Sequence, residues 1–174
     1  MNKKIIFITG GARSGKSSFA QELAARFPDP MAYLATAQAF DEEMTERIRR
    51  HKASRPANWT TLEEPLHVAE CLDTQGSRFR LILLDCLTLW VSNLMMAGKG
   101  EIEILQDGER MMESAGRAPC SVILVGNEVG MGIVPENAQA RAFRDATGLL
   151  QQKIARRADE VYFVVSGIPQ KLKG

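Results

Sequence analysis

Eight consecutive residues, Gly10, Gly11, Ala12, Arg13, Ser14, Gly15, Lys16 and Ser17, read G-x-x-x-x-G-K-S. This is the spacing of a phosphate-binding loop. Its glycines let the backbone curl until successive N–H groups point at one anion, and the start of the following helix adds partial positive charge at the same place. In such a loop Lys16 bridges the β- and γ-phosphates and the Ser17 hydroxyl sits on Mg²⁺. The flanking residues agree. Lys4 to Thr9 is a short β-branched apolar run that predicts a buried strand, and Phe19, Leu23 and Phe27 recur every four residues to predict a helix face. The motif implies a bound nucleoside triphosphate and leaves open what is done with it.

A second group is Asp85, which ends the apolar run Leu81-Ile82-Leu83-Leu84. A buried parallel strand that delivers a carboxylate at its C-terminal end, beside a phosphate loop, can hold Mg²⁺ or its water. The same residue could instead cap the helix expected from Leu87 to Met95. A third group is His51, which closes the stripe Met44, Ile48, His51 on an expected helix beginning at Asp41 and is ringed by Arg47, Arg50, Lys52 and Arg55. Pattern alone favours a helix-end histidine that suits the dipole. The alternative is a nucleophile: neighbouring cations keep an imidazole neutral, and a neutral ring nitrogen can attack phosphorus.

The elements that must position these groups alternate. Strands are expected at Lys4–Thr9, Met31–Thr36, Phe79–Asp85, Ser121–Val125 and Val161–Val165, with a short edge strand at Trp59–Leu62. Helices are expected between them, including one from Pro65, a weakly amphipathic one from Glu101 to Ala115 with Gly108 inside it, and a long one with Ala142, Phe143, Ala146, Leu149, Leu150 and Ile154 on one stripe. Alternation of this kind predicts a mostly parallel sheet covered on both faces, with the strand C-termini on one edge. Ligands bind at that edge, which gathers Lys16, Thr36, Asp85, Glu128 and Ser166. The Gly-rich run Gly126 to Pro135 reads as a loop, and Glu128 is a candidate base only because that loop opens at the same edge.

The bulk numbers narrow the class. A chain of 174 residues, 45% apolar and 25% charged, suits one globular domain, taken as residues 1–174. A formal charge of +1 gives no reason to expect a nucleic-acid surface. Cys71, Cys86 and Cys120 are scattered outside metal spacing, which fits a reducing cytoplasm. No stretch is long enough to span a membrane, and the apolar run near the start is shorter than a signal-peptide core.

Taken together, the segments resemble the bifunctional adenosylcobinamide kinase / adenosylcobinamide-phosphate guanylyltransferase family of cobalamin biosynthesis. The matching stretches are Gly10 to Ser17, Tyr33 to Ala37, Asp41 to Met44 with Arg47, Ile48 and His51, and Trp59 to Glu63. Further along they are Asp85 to Thr88 with Asn93, Asn127 to Glu136, Arg141 to Asp145, and Val165 to Pro169. They follow family order over essentially the whole chain, and the Asn127–Glu136 run is far more specific than the phosphate loop.

The resemblance implies a P-loop, RecA-like three-layer α/β sandwich, mostly parallel, with room for an antiparallel edge strand. It also implies two reactions. ATP or GTP phosphorylates the hydroxyl of the aminopropanol arm of adenosylcobinamide. GTP then gives GMP to an enzyme histidine, and adenosylcobinamide phosphate takes that GMP to form adenosylcobinamide-GDP. The family's histidine falls at His51. Its GTP contacts fall at Gly10, Gly11, Ala12, Arg13, Ser14, Gly15, Lys16 and Ser17, at Ala35, Thr36 and Ala37, at Lys52, Ala53, Ser54 and Arg55, and at Glu63 and Asp85. A homotrimer is implied by the resemblance alone. In-line attack by His51 on the α-phosphorus requires the helix of residues 41–53 to swing over the nucleotide, or a bend in the triphosphate. Two rival readings are a small-molecule kinase that needs no His51 and a RecA-like ATPase module that drives a partner.

Overall fold

The computed structural model describes residues 3–39, 41–53 and 55–174, with residues 47 and 51 described at the backbone alone. The chain runs β1 (Ile5–Gly10), α1 (Lys16–Ala24), β2 (Met31–Ala35), α2 (Glu42–Ala53), β3 (Thr60–Glu63), α3 (Val68–Gln75) and β4 (Leu81–Asp85). It continues through α4 (Leu87–Met96), α5 (Glu101–Arg117), β5 (Ser121–Asn127), α6 (Ala138–Arg157), β6 (Glu160–Val165) and β7 (Ile168–Lys173). The strands form one sheet in the order β3-β2-β4-β5-β1-β6-β7. Every neighbouring pair is parallel except β6 and β7, which run antiparallel at the sheet edge.

Strand alternation sorts the core into two layers. Ile5 and Phe7 of β1 join α3, α4, α5 and α6 in the larger cluster, whereas Ile6 and Ile8 join Ala20, Leu23 and Ala24 of α1 in the smaller one. Helices therefore cover both faces, and all six residues of β1 are buried, as a strand in a doubly covered parallel sheet requires. The acid-bearing strand β4 and the loop-bearing strand β1 are not neighbours, because β5 lies between them. Since β1, β2, β4, β5 and β6 are mutually parallel, their C-terminal ends share one edge of the sheet.

The structure corrects several expectations. The helix expected from Pro65 begins at Val68, with the Glu64 carboxylate accepting from the amides of Leu66 and His67 just before it. Helix α5 is not weakly sided: Ile104, Gly108, Met111, Met112 and Ala115 are buried on it. Gly108 faces α6, where an added Cβ would lie 2.1 Å from Leu150 Cδ1. On α6 the buried stripe is Ala146, Thr147, Leu150 and Ile154, while Leu149 is exposed. Strand β7 was not expected as a strand; it supplies the antiparallel edge.

Candidate active site

The phosphate loop leaves β1 at Gly10 and enters α1 at Lys16. Space dictates two of its glycines. At Gly10 an added Cβ would lie 2.4 Å from the Val164 carbonyl oxygen, and at Gly15, with φ at +94°, it would lie 3.0 Å from Gly167 Cα. No side chain caps the start of α1, so its first N–H groups remain for an anion. Lys16 is buried and its Nζ donates to the Gly11 carbonyl at 2.9 Å, folding the ammonium back over its own loop.

Strand β4 delivers Asp85 to this loop. Asp85 Oδ2 accepts from the Ser17 hydroxyl at 2.9 Å and from the Tyr33 phenol at 2.8 Å. The helix-capping alternative for Asp85 is corrected by the residue that follows it. Cys86 occupies the N-cap of α4, and its Sγ accepts from the Leu89 amide. A hydroxyl and a carboxylate in contact beside a phosphate loop make an oxygen-only donor set. That set fits Mg²⁺, which takes one or two protein ligands and completes its shell with phosphates and water. Among the described residues no cluster of three or more His, Cys, Asp or Glu side chains could hold a metal by itself.

Burial first, and then the Asp85 carboxylate, push the Tyr33 phenol well above the usual tyrosine range. Tyr33 therefore stays a neutral hydrogen-bond donor. The same two causes raise the Cys86 thiol and keep it protonated.

A cavity of about 650 Å³ opens over these groups, a size suited to a nucleotide or a similar small molecule. Its floor holds Lys16, Ser17 and Asp85. One wall is the stripe Met44, Ile48 and Lys52 of α2, spaced by four residues so that all three share a helix face. Arg55, Glu63, Pro65, Leu89 and Asn127 close it further. Lys52 pairs with Glu63 across the cavity rim.

Most residues expected at the site do meet here. Lys16, Ser17, Ala35, Ala37, Lys52, Arg55, Glu63 and Asp85 all line this one cavity. Gly10, Gly11, Ala12, Arg13, Ser14 and Gly15 make the turn of the loop that holds Lys16, with Arg13 at φ +57°. Thr36 is fully buried and spends its hydroxyl on the backbone of Cys86. Ala53 is exposed at the end of α2. Ser54 lies outside the described residues, as does the side chain of His51, whose backbone is in the last turn of α2.

Glu128 is spent elsewhere than expected: its carboxylate accepts from the amides of Gly130 and Met131 in its own loop. Ser166 sits in the β6–β7 turn with φ at +51°. Tyr33 is a side chain of this cavity, bonded to Asp85, to which sequence reasoning gave no role. Its signal was a single phenol inside the apolar run Met31-Ala32-Tyr33-Leu34-Ala35, because a buried tyrosine hydroxyl needs a partner. Ser166-Gly167 was a second missed signal, since a Ser-Gly pair between two runs marks a two-residue hairpin.

Comparison with known proteins places the site in context. The model of a family described as cobinamide kinase / cobinamide phosphate guanyltransferase matches residues 6–172. The bifunctional adenosylcobalamin biosynthesis protein CobP of Pseudomonas aeruginosa is 47% identical over 169 residues, covering 96% of each chain. The bifunctional adenosylcobalamin biosynthesis protein CobU of Salmonella typhimurium is 45% identical, over 97% of this chain and 99% of that one. The Escherichia coli protein of the same name is 40% identical over the same shares. Among solved structures, a prototypical ATPase of the type III secretion system overlays 97% of this chain with a TM-score of 0.58 at 12% identity. This chain spans 56% of that ATPase's length, and the likeness is one of fold.

Proposed function

The chain belongs to the cobinamide kinase / cobinamide phosphate guanyltransferase family, and from that premise we propose that it carries out both reactions in the one cavity between the phosphate loop and α2. The observation that carries this reading is the shared cavity. Lys16, Ser17 and Asp85 form its floor, and the helix bearing His51 forms its wall through Met44, Ile48 and Lys52. A triphosphate on the floor therefore lies beneath the helix that carries the nucleophile.

In the kinase reaction the hydroxyl of adenosylcobinamide attacks the γ-phosphorus of ATP or GTP. The bond to the β,γ-bridging oxygen breaks, the hydroxyl proton passes to water, and adenosylcobinamide phosphate and a nucleoside diphosphate leave. In the transferase reaction a neutral nitrogen of His51 attacks the α-phosphorus of GTP. The bond to the α,β-bridging oxygen breaks, and pyrophosphate leaves. A phosphate oxygen of adenosylcobinamide phosphate then attacks the same phosphorus, the P–N bond breaks, and adenosylcobinamide-GDP departs. Lys16 and the loop amides hold the β- and γ-phosphates in both reactions, where negative charge grows on the leaving group. Ser17 and Asp85 would hold Mg²⁺, whose contribution when bound is to neutralise that charge. Movement of α2 over the nucleotide brings His51 in line.

The same reading treats residues 1–174 as one nucleotide-binding domain, acting in the cytoplasm as a homotrimer. No helix among the described residues is long and apolar enough to cross a membrane. Light scattering tests the trimer.

Intact mass after incubation with GTP and Mg²⁺ tests the chemistry, on the native chain and on His51→Ala. A GMP-sized gain that is acid-labile, alkali-stable and absent from the variant is the expected result. No gain under conditions where GTP demonstrably binds would overturn the transferase half and leave a phosphate-loop kinase.

A further inference from the structure

Two hydroxyls converge on one oxygen, Asp85 Oδ2, and neither uses Oδ1. One belongs to Ser17, which the phosphate-loop reading already employs. The other belongs to Tyr33, which that reading does not. Tyr33 is 3% exposed and packs in the smaller core, so its phenol is delivered by a ring with little freedom to move. A carboxylate gripped by two donors on one oxygen cannot rotate, and the second donor keeps that grip when Ser17 turns toward a ligand.

The opposite side of Tyr33 is also in use. The Arg55 guanidinium lies over the ring, with Cζ 3.8 Å from the centroid, well within cation–π range. Arg55 Nη1 also donates to the Thr61 hydroxyl at 3.2 Å. Thr61 is the register partner of Tyr33 across the β2–β3 pair, so Arg55 straddles a cross-strand couple. Arg55 follows the end of α2 by two residues, and Lys52 in its last turn pairs with Glu63 of β3.

We infer that Tyr33 is a positioning residue for both reactions: its hydroxyl fixes the Asp85 carboxylate, and its ring seats Arg55 and through it the C-terminal end of α2. The inference rests on the proposed roles of Asp85 toward Mg²⁺ and of α2 toward the α-phosphorus. One side chain then sets the position of the metal-binding acid and of the helix that must approach the nucleotide. Tyr33→Phe removes the first function and keeps the second. Tyr33→Leu and Arg55→Met remove the second.

The test uses the full chain with a non-hydrolysable GTP analogue and Mn²⁺ as a paramagnetic stand-in. Electron paramagnetic resonance titration gives the Mn²⁺ affinity of the nucleotide complex. Tyr33→Phe is expected to weaken it roughly ten-fold, as loss of a ligand-orienting hydrogen bond does, with analogue affinity in EDTA unchanged. Native Mn²⁺ affinity in Tyr33→Phe, or an equal loss in EDTA, overturns the orienting role. Amide hydrogen exchange over residues 48–53 reads the other half. It is expected to be native in Tyr33→Phe and several-fold faster in Arg55→Met and Tyr33→Leu. Native exchange in Arg55→Met overturns the seating role even if Tyr33→Leu fails to fold. A native chain that binds analogue and Mn²⁺ but gains no GMP mass with GTP would sink the guanylyl reading and leave the Tyr33 outcome legible.

Discussion

The amide of Gly167 donates to the carbonyl of Ser14 at 2.7 Å, which joins the β6–β7 turn to the middle of the phosphate loop. The turn is two residues long, between the paired Val165 and Ile168, with φ at +51° for Ser166 and +81° for Gly167. The edge hairpin thus buttresses the Gly10–Ser17 loop, and a Cβ added at Gly15 would lie 3.0 Å from Gly167 Cα of the same turn.

A matched pair of glycine variants separates this contact from ordinary turn strain. Gly167 and Gly98 both have positive φ, +81° and +87°, and an added Cβ at either meets nothing within 4 Å. Alanine at each should therefore cost the same backbone penalty, about 1 kcal/mol. Only Gly167→Ala disturbs the loop, so only it should weaken nucleotide binding, by a few-fold. Chemical denaturation and fluorescent-nucleotide titration of both variants check the expectation. Equal affinities in the two would sink it.

The contact of α5 with α6 predicts an unusual sign. Alanine is a better helix former than glycine by about 1 kcal/mol, and on propensity alone Gly108→Ala would stabilise. The Cβ would enter the space of Leu150, which is fully buried and has little room to yield. Overpacking costs about 1–3 kcal/mol, so Gly108→Ala should leave the fold no more stable than native and by up to about 2 kcal/mol less. A double-mutant cycle with Leu150→Ala should show a favourable coupling of about 1 kcal/mol or more, since the smaller side chain makes the room. Additive effects would mean that the helices simply move apart.

What could be read from the chain depended on how local each signal was. Gly10 to Ser17, the apolar run into Asp85 and the alternation of strands and helices are contiguous, and the strand, loop and helix each predicts are the elements the structure has there. Strand β7 gives no strand signal in its own residues, for a physical reason. All its residues are exposed, it begins Ile168-Pro169, and proline is tolerated only because an edge strand pairs on one side. Helix α5 reads as weakly amphipathic with Gly108 inside it, whereas Gly108 is buried on its packed side against Leu150 of α6. The link from Asp85 through Tyr33 to Arg55 joins residues 22 to 52 positions apart, and no spacing rule connects them. The role proposed for His51 rests on resemblance, since its own pattern favours a helix end.

Acid should loosen the β6–β7 edge in a definite window. The Glu160 carboxylate accepts from Lys4 Nζ and from the Tyr162 phenol, and Lys171 of β7 lies 3.5 Å away. These partners, the Lys4 bond foremost, hold its pKa at about 2 against an ordinary 4.5. A depressed folded-state pKa means stability that is present above the unfolded value and lost as pH falls through the folded one. Glu160→Gln should therefore lower the Tm at neutral pH, and the gap to native should close between pH 4.5 and about 2. Thermal unfolding followed across that range checks it. A gap that stays constant with pH would show that the carboxylate charge contributes nothing to this edge.

Lys16 and His51 should fail in different ways, and labelled GTP distinguishes them. In the proposed mechanism Lys16 holds phosphates in both reactions; Lys16→Ala removes the ammonium, which in the structure donates to Gly11 of its own loop. It should lower transfer of both γ- and α-phosphorus to the corrinoid by a hundred-fold or more, on the order of what loss of one charge-stabilising donor does. In the same mechanism His51 acts only where GMP is carried. His51→Asn should still move γ-labelled phosphorus from GTP to adenosylcobinamide at near-native rate while moving no α-labelled phosphorus at all. Loss of both transfers in His51→Asn, with nucleotide affinity unchanged, would mean that the histidine also serves the hydroxyl's attack, and the two reactions would then share a catalytic group as well as a cavity.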